Sequence, residues 1–93
     1  FYTMVARREK LDIIKDILES IRDKGGTIKP THLLYKSNLS HDSMKRYVGD
    51  LIVKELVEEL EEKRGKKYTI TDKGLKFLSD YQQVKEFTNS FGF

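Results

Sequence analysis

Apolar residues recur at helical spacing from Arg7 to Lys24. Leu11, Ile14, Leu18 and Ile21 follow three- and four-residue steps, and Ile13 and Ile17 widen the stripe. Lys10, Asp12, Lys15, Asp16, Glu19 and Arg22 fill the opposite face, and Gly25-Gly26 ends the helix. Thr27-Ile28-Lys29 reads as a short extended piece. Pro30 suits the first turn of a second helix reaching Lys36, with Leu33 and Leu34 inward. Ser37-Asn38 forms a turn. Ser40 is a fair N-cap for a third helix over 40–54, whose buried stripe is Met44, Val48, Leu51 and Ile52.

Beyond Lys54 the period changes. Leu56, Val57 and Leu60 sit in an extended run with five glutamates, Lys63-Arg64-Gly65-Lys66 is a turn, and Tyr68-Thr69-Ile70-Thr71 alternates like a half-buried strand. Thr71 or Asp72 caps a last helix running to about Phe87 or Asn89, with Leu75, Leu78, Tyr81 and Val84 on one side. The order is helix, short strand, helix, helix, strand, wing turn, strand, helix. That predicts a mainly α fold with a small β-hairpin, the winged helix-turn-helix. In such a unit the second helix of the pair enters a DNA major groove.

Composition narrows the function classes. A chain of 93 residues is one domain's worth, 1–93, with room for a modest core. It has no cysteine, which removes disulfides and thiol chemistry, and two histidines, too few for most histidine-based metal sites. No metal or other cofactor is expected. Apolar runs are too short for a membrane span, and no small-molecule ligand motif is evident; the expected setting is cytoplasmic and nucleoid-associated. No phosphate loop, HExxH or nucleophile elbow supports an enzyme. Phe1-Tyr2-Thr3 ahead of Met4 reads as a remnant before a natural start, or as fragment numbering.

The net charge of +3 is an average. Residues 29–54 carry five basic and two acidic side chains, 55–62 carry five acids alone, and 63–76 carry six bases and one acid. The two basic blocks coincide with the third helix and the hairpin.

The run from Leu39 to Val57 resembles the recognition-helix segment of prokaryotic winged-helix regulators at Leu39, Ser40, Ser43, Met44, Arg46, Tyr47, Val48, Leu51, Leu56 and Val57. The stretch from Tyr68 to Leu78, with Thr71 and Gly74 at fixed steps, resembles the ending of the same group. Leu33-Leu34-Tyr35 and the opening Arg-Arg-Glu-Lys-Leu-Asp-Ile-Ile look like small archaeal winged-helix proteins. That group contains predicted transcriptional regulators and chromatin-associated proteins that dimerise through a C-terminal coiled coil. The resemblance covers about residues 7–88. It departs at Glu55, where many relatives have glycine, and in a shorter tail ending Phe91-Gly92-Phe93.

The expected DNA contacts on the third helix are Ser40, His41, Ser43, Lys45, Arg46 and Gly49; those on the wing over 63–67 are Lys63, Arg64, Lys66 and Lys67. Any of these polar residues also serves as an ordinary solvated surface, and lysines on an exposed hairpin discourage strand aggregation. Asp50 is expected to point away from the groove, and the glutamates to pair with Lys66 and Lys67. Tyr35 is read as core packing ahead of two alternatives, support of the recognition helix or contact with a phosphate. The helix and tail over 72–93 are the expected dimerisation element, through Ile13, Ile17, Tyr81, Val84, Phe87 and Phe91. The reading is a DNA-binding homodimer, a regulator or chromatin-type protein acting on double-stranded DNA. The rival is a winged-helix protein-interaction module that reads no DNA.

Overall fold

The computed structural model describes residues 2–92, with side chains from residue 10 onward. The expectations for Phe1 and Phe93 lie outside the described residues. Seven elements follow in order: α1 (Tyr2–Asp23), β1 (Thr27–Ile28), α2 (Pro30–Ser37), α3 (His41–Val53), β2 (Val57–Glu62), β3 (Gly65–Ile70) and α4 (Asp72–Ser90). The first helix starts before the expected Arg7. Tyr2, Thr3, Met4, Val5 and Ala6 form a largely apolar run with no alternating polar face, so they show no two-sided helical pattern of the kind that marks the stripe after Arg7.

The core joins every element. Ile14, Ile17, Leu18 and Ile21 of α1 meet Leu33 of α2 and Met44, Val48 and Leu51 of α3. Ile28, Val57, Tyr68 and Ile70 line the sheet side, and Leu78 of α4 closes the cluster. Each such side chain contributes about 1.5–3 kcal/mol by leaving water. Leu11 and Leu75, expected inside, lie at the rim at 39% and 41% exposure. Tyr35 is corrected outright: at 88% exposure it is no core residue, because Leu33 and Leu34 already fill the inner face of this eight-residue helix.

The short piece before Pro30 is a true strand. The sheet order is β1-β3-β2, all antiparallel, with Thr27 opposite Thr69 and Ile28 opposite Tyr68. The Thr27 and Thr69 hydroxyls hydrogen-bond across the pair at 3.1 Å. Opposite pairs β2–β3 run from Val57–Ile70 to Glu62–Gly65, so the hairpin tip is only Lys63-Arg64. The wing turn is thus tighter than expected, and Lys66 belongs to the strand.

The turn after α3 explains the departure at Glu55. Glu55 takes φ 63°, the left-handed conformation that glycine holds without strain. The N–H of Leu56 donates to the Leu51 carbonyl at 2.9 Å and that of Glu55 to Ile52 at 3.0 Å, closing the helix end. Gly25 and Gly26 close α1 with the same bond pattern, so the geometry at Glu55 is the ordinary one built with an unfavourable residue. Glu55→Gly is expected to raise stability by about 0.5–1 kcal/mol, or roughly 2–8 °C in melting temperature. Thermal denaturation followed by circular dichroism measures this.

The start of α4 is tied to that same turn. The Thr71 hydroxyl donates to the Glu55 carbonyl at 2.7 Å and accepts from the Gly74 N–H at 3.0 Å. Lys73 Nζ reaches the Lys54 carbonyl at 2.9 Å. One cap therefore starts α4 and fixes the end of α3.

Candidate nucleic-acid interface

The outer face of α3 is set by what its inner face buries. Met44, Val48 and Leu51 are sealed in the core, which turns Asp42, Lys45, Arg46, Gly49 and Val53 outward. The Ser40 side chain accepts from the Ser43 N–H at 3.2 Å and caps the helix start. Its lone pair is engaged there, though its O–H remains able to donate. Ser43 is half-buried, His41 is exposed, and Tyr47 sits at the edge.

Neither Lys45 nor Arg46 forms an ion pair among the described residues. Asp50 turns to the flank and pairs with Lys54 at 3.1 Å, which keeps its charge off the outer face. Gly49 has open space where a Cβ would stand, so only solvent bounds that part of the helix. Val53 was missed in the sequence. It is 80% exposed at the end of the outer row, and only the orientation fixed by Val48 and Leu51 reveals it.

The hairpin divides its four cations. Lys66 pairs with Glu59 at 3.0 Å and Lys67 with Glu62 at 3.2 Å. The Glu59 hydrogen bond, and then its charge, hold the Lys66 ammonium above its ordinary pKa. Lys63 and Arg64 stand at the tip with no ion pair among the described residues. The glutamate run thus pairs across the hairpin with both stem lysines, while Glu55, Glu58 and Glu61 keep their charges exposed.

His32 lies on α2 near Lys24 and Lys36. Partial burial, then those two charges, push its imidazole below its ordinary pKa. Both effects disfavour its charged form. No group of three metal-ligating side chains occurs among the described residues.

The proposed partner surface is divided differently from the expectation. Ile17 is wholly buried in the chain's own core, so it cannot meet a second copy. Ile13 is half-buried against the same core. Tyr81 is occupied as well: its hydroxyl donates to the Asp12 carboxylate of α1, and that bond, more than burial, raises its pKa. Val84, Phe87 and Phe91 remain 62%, 64% and 63% exposed at steps of three and four along α4. The Phe87 and Phe91 rings approach to 4.9 Å between centroids. No helix is long and apolar enough to cross a membrane among the described residues.

A family model described as winged helix-turn-helix matches residues 7–89. An uncharacterized protein, MJ0290, of Methanocaldococcus jannaschii is 31% identical over 78 residues, which is 84% of this chain and 34% of that protein. The chain thus spans about a third of that relative's length. Among solved structures, Sso10a-2, a DNA-binding protein from Sulfolobus solfataricus, superposes with a TM-score of 0.75 at 18% identity, over 87% of this chain and 82% of that one. TubR from Bacillus thuringiensis serovar israelensis, bound to 24 bp of tubC, superposes with a TM-score of 0.70 at 19% identity, over 89% and 92%.

Proposed function

The chain belongs to the winged helix-turn-helix family, and from that premise we propose that it binds double-stranded DNA as a regulator or chromatin-type protein, with α3 in the major groove and the wing tip on the flanking backbone. The observation that carries this reading is the state of the cations. Among the described residues, Lys45 and Arg46 project unpaired from the second helix of the pair, and Lys63 and Arg64 project unpaired from the wing. Those are the two places where this fold meets a duplex. A cation already paired with a carboxylate neutralises phosphate less readily and displaces fewer of the counterions held by DNA, and these four have no such pair among the described residues. The DNA-binding neighbours Sso10a-2 and TubR support the same use of the fold. No catalytic role is part of the proposal.

A second copy completes the proposal. Val84, Phe87 and Phe91 form one apolar row that the chain leaves uncovered, and exposed rows of this kind favour association. A two-fold dimer through α4 would set two α3 helices on successive grooves about 34 Å apart. Of the six interface residues expected from sequence, these three are kept, Ile17 is withdrawn, and Ile13 and Tyr81, which pack within the chain itself, are not counted toward the row.

Binding of the purified chain to random duplex DNA at two salt concentrations tests the reading. Tight binding at low salt that weakens steeply with added salt supports it. Absence of binding even at low salt overturns it. Light scattering at micromolar concentration should give the mass of two chains, and Phe87→Glu should return it to one.

A further inference from the structure

The outer row of α3 is poorly built for coating phosphates. It holds two free cations, a glycine, an exposed valine and an exposed acid, Asp42. Asp42 lies one turn before Arg46 on the same face, in the N-terminal half that meets base edges in such helices. An acid four residues ahead of a base is well placed for a helical ion pair. None joins Asp42 to Arg46 or Lys45 among the described residues, so its carboxylate stays open to the outside. Asp50, by contrast, is removed from this face by Lys54.

We propose that Asp42 is a specificity-determining residue that selects cytosine beside a guanine read by Arg46, making the chain a site-specific reader of DNA. This rests on the DNA-binding reading above. The major-groove edges decide the choice of base. A carboxylate only accepts hydrogen bonds. Guanine presents two acceptors there and thymine an acceptor with a methyl group, so both repel it. Adenine offers its N6 amino group beside the N7 acceptor. Cytosine offers its N4 donor with C5–H on one side and a single acceptor, the paired guanine O6, on the other, whereas adenine N6 lies between its own N7 and the paired thymine O4. The Arg46 guanidinium has the opposite preference and takes guanine O6 and N7 in a bidentate pair. The same negative charge repels phosphates, so it weakens binding wherever cytosine is missing. A first-turn acid also favours the positive end of its own helix, but that role carries no base preference.

The experiment is selection from a random duplex pool with the wild-type chain and with Asp42→Asn. Asparagine is isosteric and pairs with adenine N6 and N7 rather than with cytosine. Wild type is expected to enrich cytosine at one position next to a guanine, with other bases there disfavoured by about five- to 150-fold. Asp42→Asn is expected to enrich adenine at that position and to bind unselected duplex more tightly than wild type. Arg46→Ala should lose the neighbouring guanine and keep the cytosine. If Asp42→Asn enriches the wild-type site, or if wild type binds DNA but enriches no base, this inference falls while DNA binding stands. If wild type binds no duplex at low salt, the DNA-binding reading fails with it.

Discussion

Gly74→Ala should lower the melting temperature by about 12 °C or more, from a loss of about 3 kcal/mol or more. A Cβ at residue 74 would stand 2.4 Å from the Leu56 carbonyl oxygen and 2.7 Å from Ile70 Cγ1. The first of these is backbone, so no rotamer change relieves it. The Leu56 carbonyl also accepts the Thr71 N–H at 3.1 Å, and the Thr71 hydroxyl holds the Glu55 carbonyl. To admit the methyl group, α4 must lift away from the turn after α3, breaking the contacts that start one helix and end the other. Gly49→Ala provides the contrast. That glycine lies inside α3 with nothing within 4 Å of its missing Cβ. Alanine there should raise stability by about 0.5–1 kcal/mol through helix propensity alone. Equal effects at the two glycines would mean that the close approach at Gly74 is not what holds α4 in place.

Gly74 also illustrates what could be read from the chain. Its place three residues after Thr71 marked a helix start, and the resemblance flagged it as a motif position. The reason for glycine lies in a carbonyl 18 residues earlier, which no local pattern contains. The same divide runs through the whole molecule. Helix spacing placed α3 within a residue at each end, because Met44, Val48 and Leu51 have one face to bury and Ser40 caps it. The buried stripe of α1 was legible too, apart from Leu11. What spacing could not supply was the allocation of apolar residues between the core and a partner. Ile17 and Phe87 look alike as members of helical stripes, yet one is sealed and the other is 64% exposed. Only the position of α1 at the centre of the fold, and of α4 running past it, separates them. Charge behaved similarly. The basic block after Glu62 was visible, but the division between paired stem and free tip depends on strand register.

That division gives the second large effect. Arg46→Ala should weaken binding to a selected duplex by about five- to 150-fold, and adding Lys45→Ala should weaken it further. On the wing, Lys63→Ala with Arg64→Ala should reduce the slope of log affinity against log salt by roughly 2, one phosphate contact for each residue. Lys66→Ala with Lys67→Ala should change that slope little, because each of these lysines already has a carboxylate within 3.2 Å and releases few counterions on binding. Both double variants remove two positive charges, so a simple net-charge effect would treat them alike. Fluorescence anisotropy over a salt series distinguishes the cases. A stem variant whose slope falls as far as that of the tip variant would mean that Lys66 and Lys67 leave Glu59 and Glu62 when DNA binds. The wing would then lie flat along the backbone rather than touching it at Lys63 and Arg64. Equal slopes in wild type and tip variant would remove the wing from the interface and leave α3 to carry the contact alone.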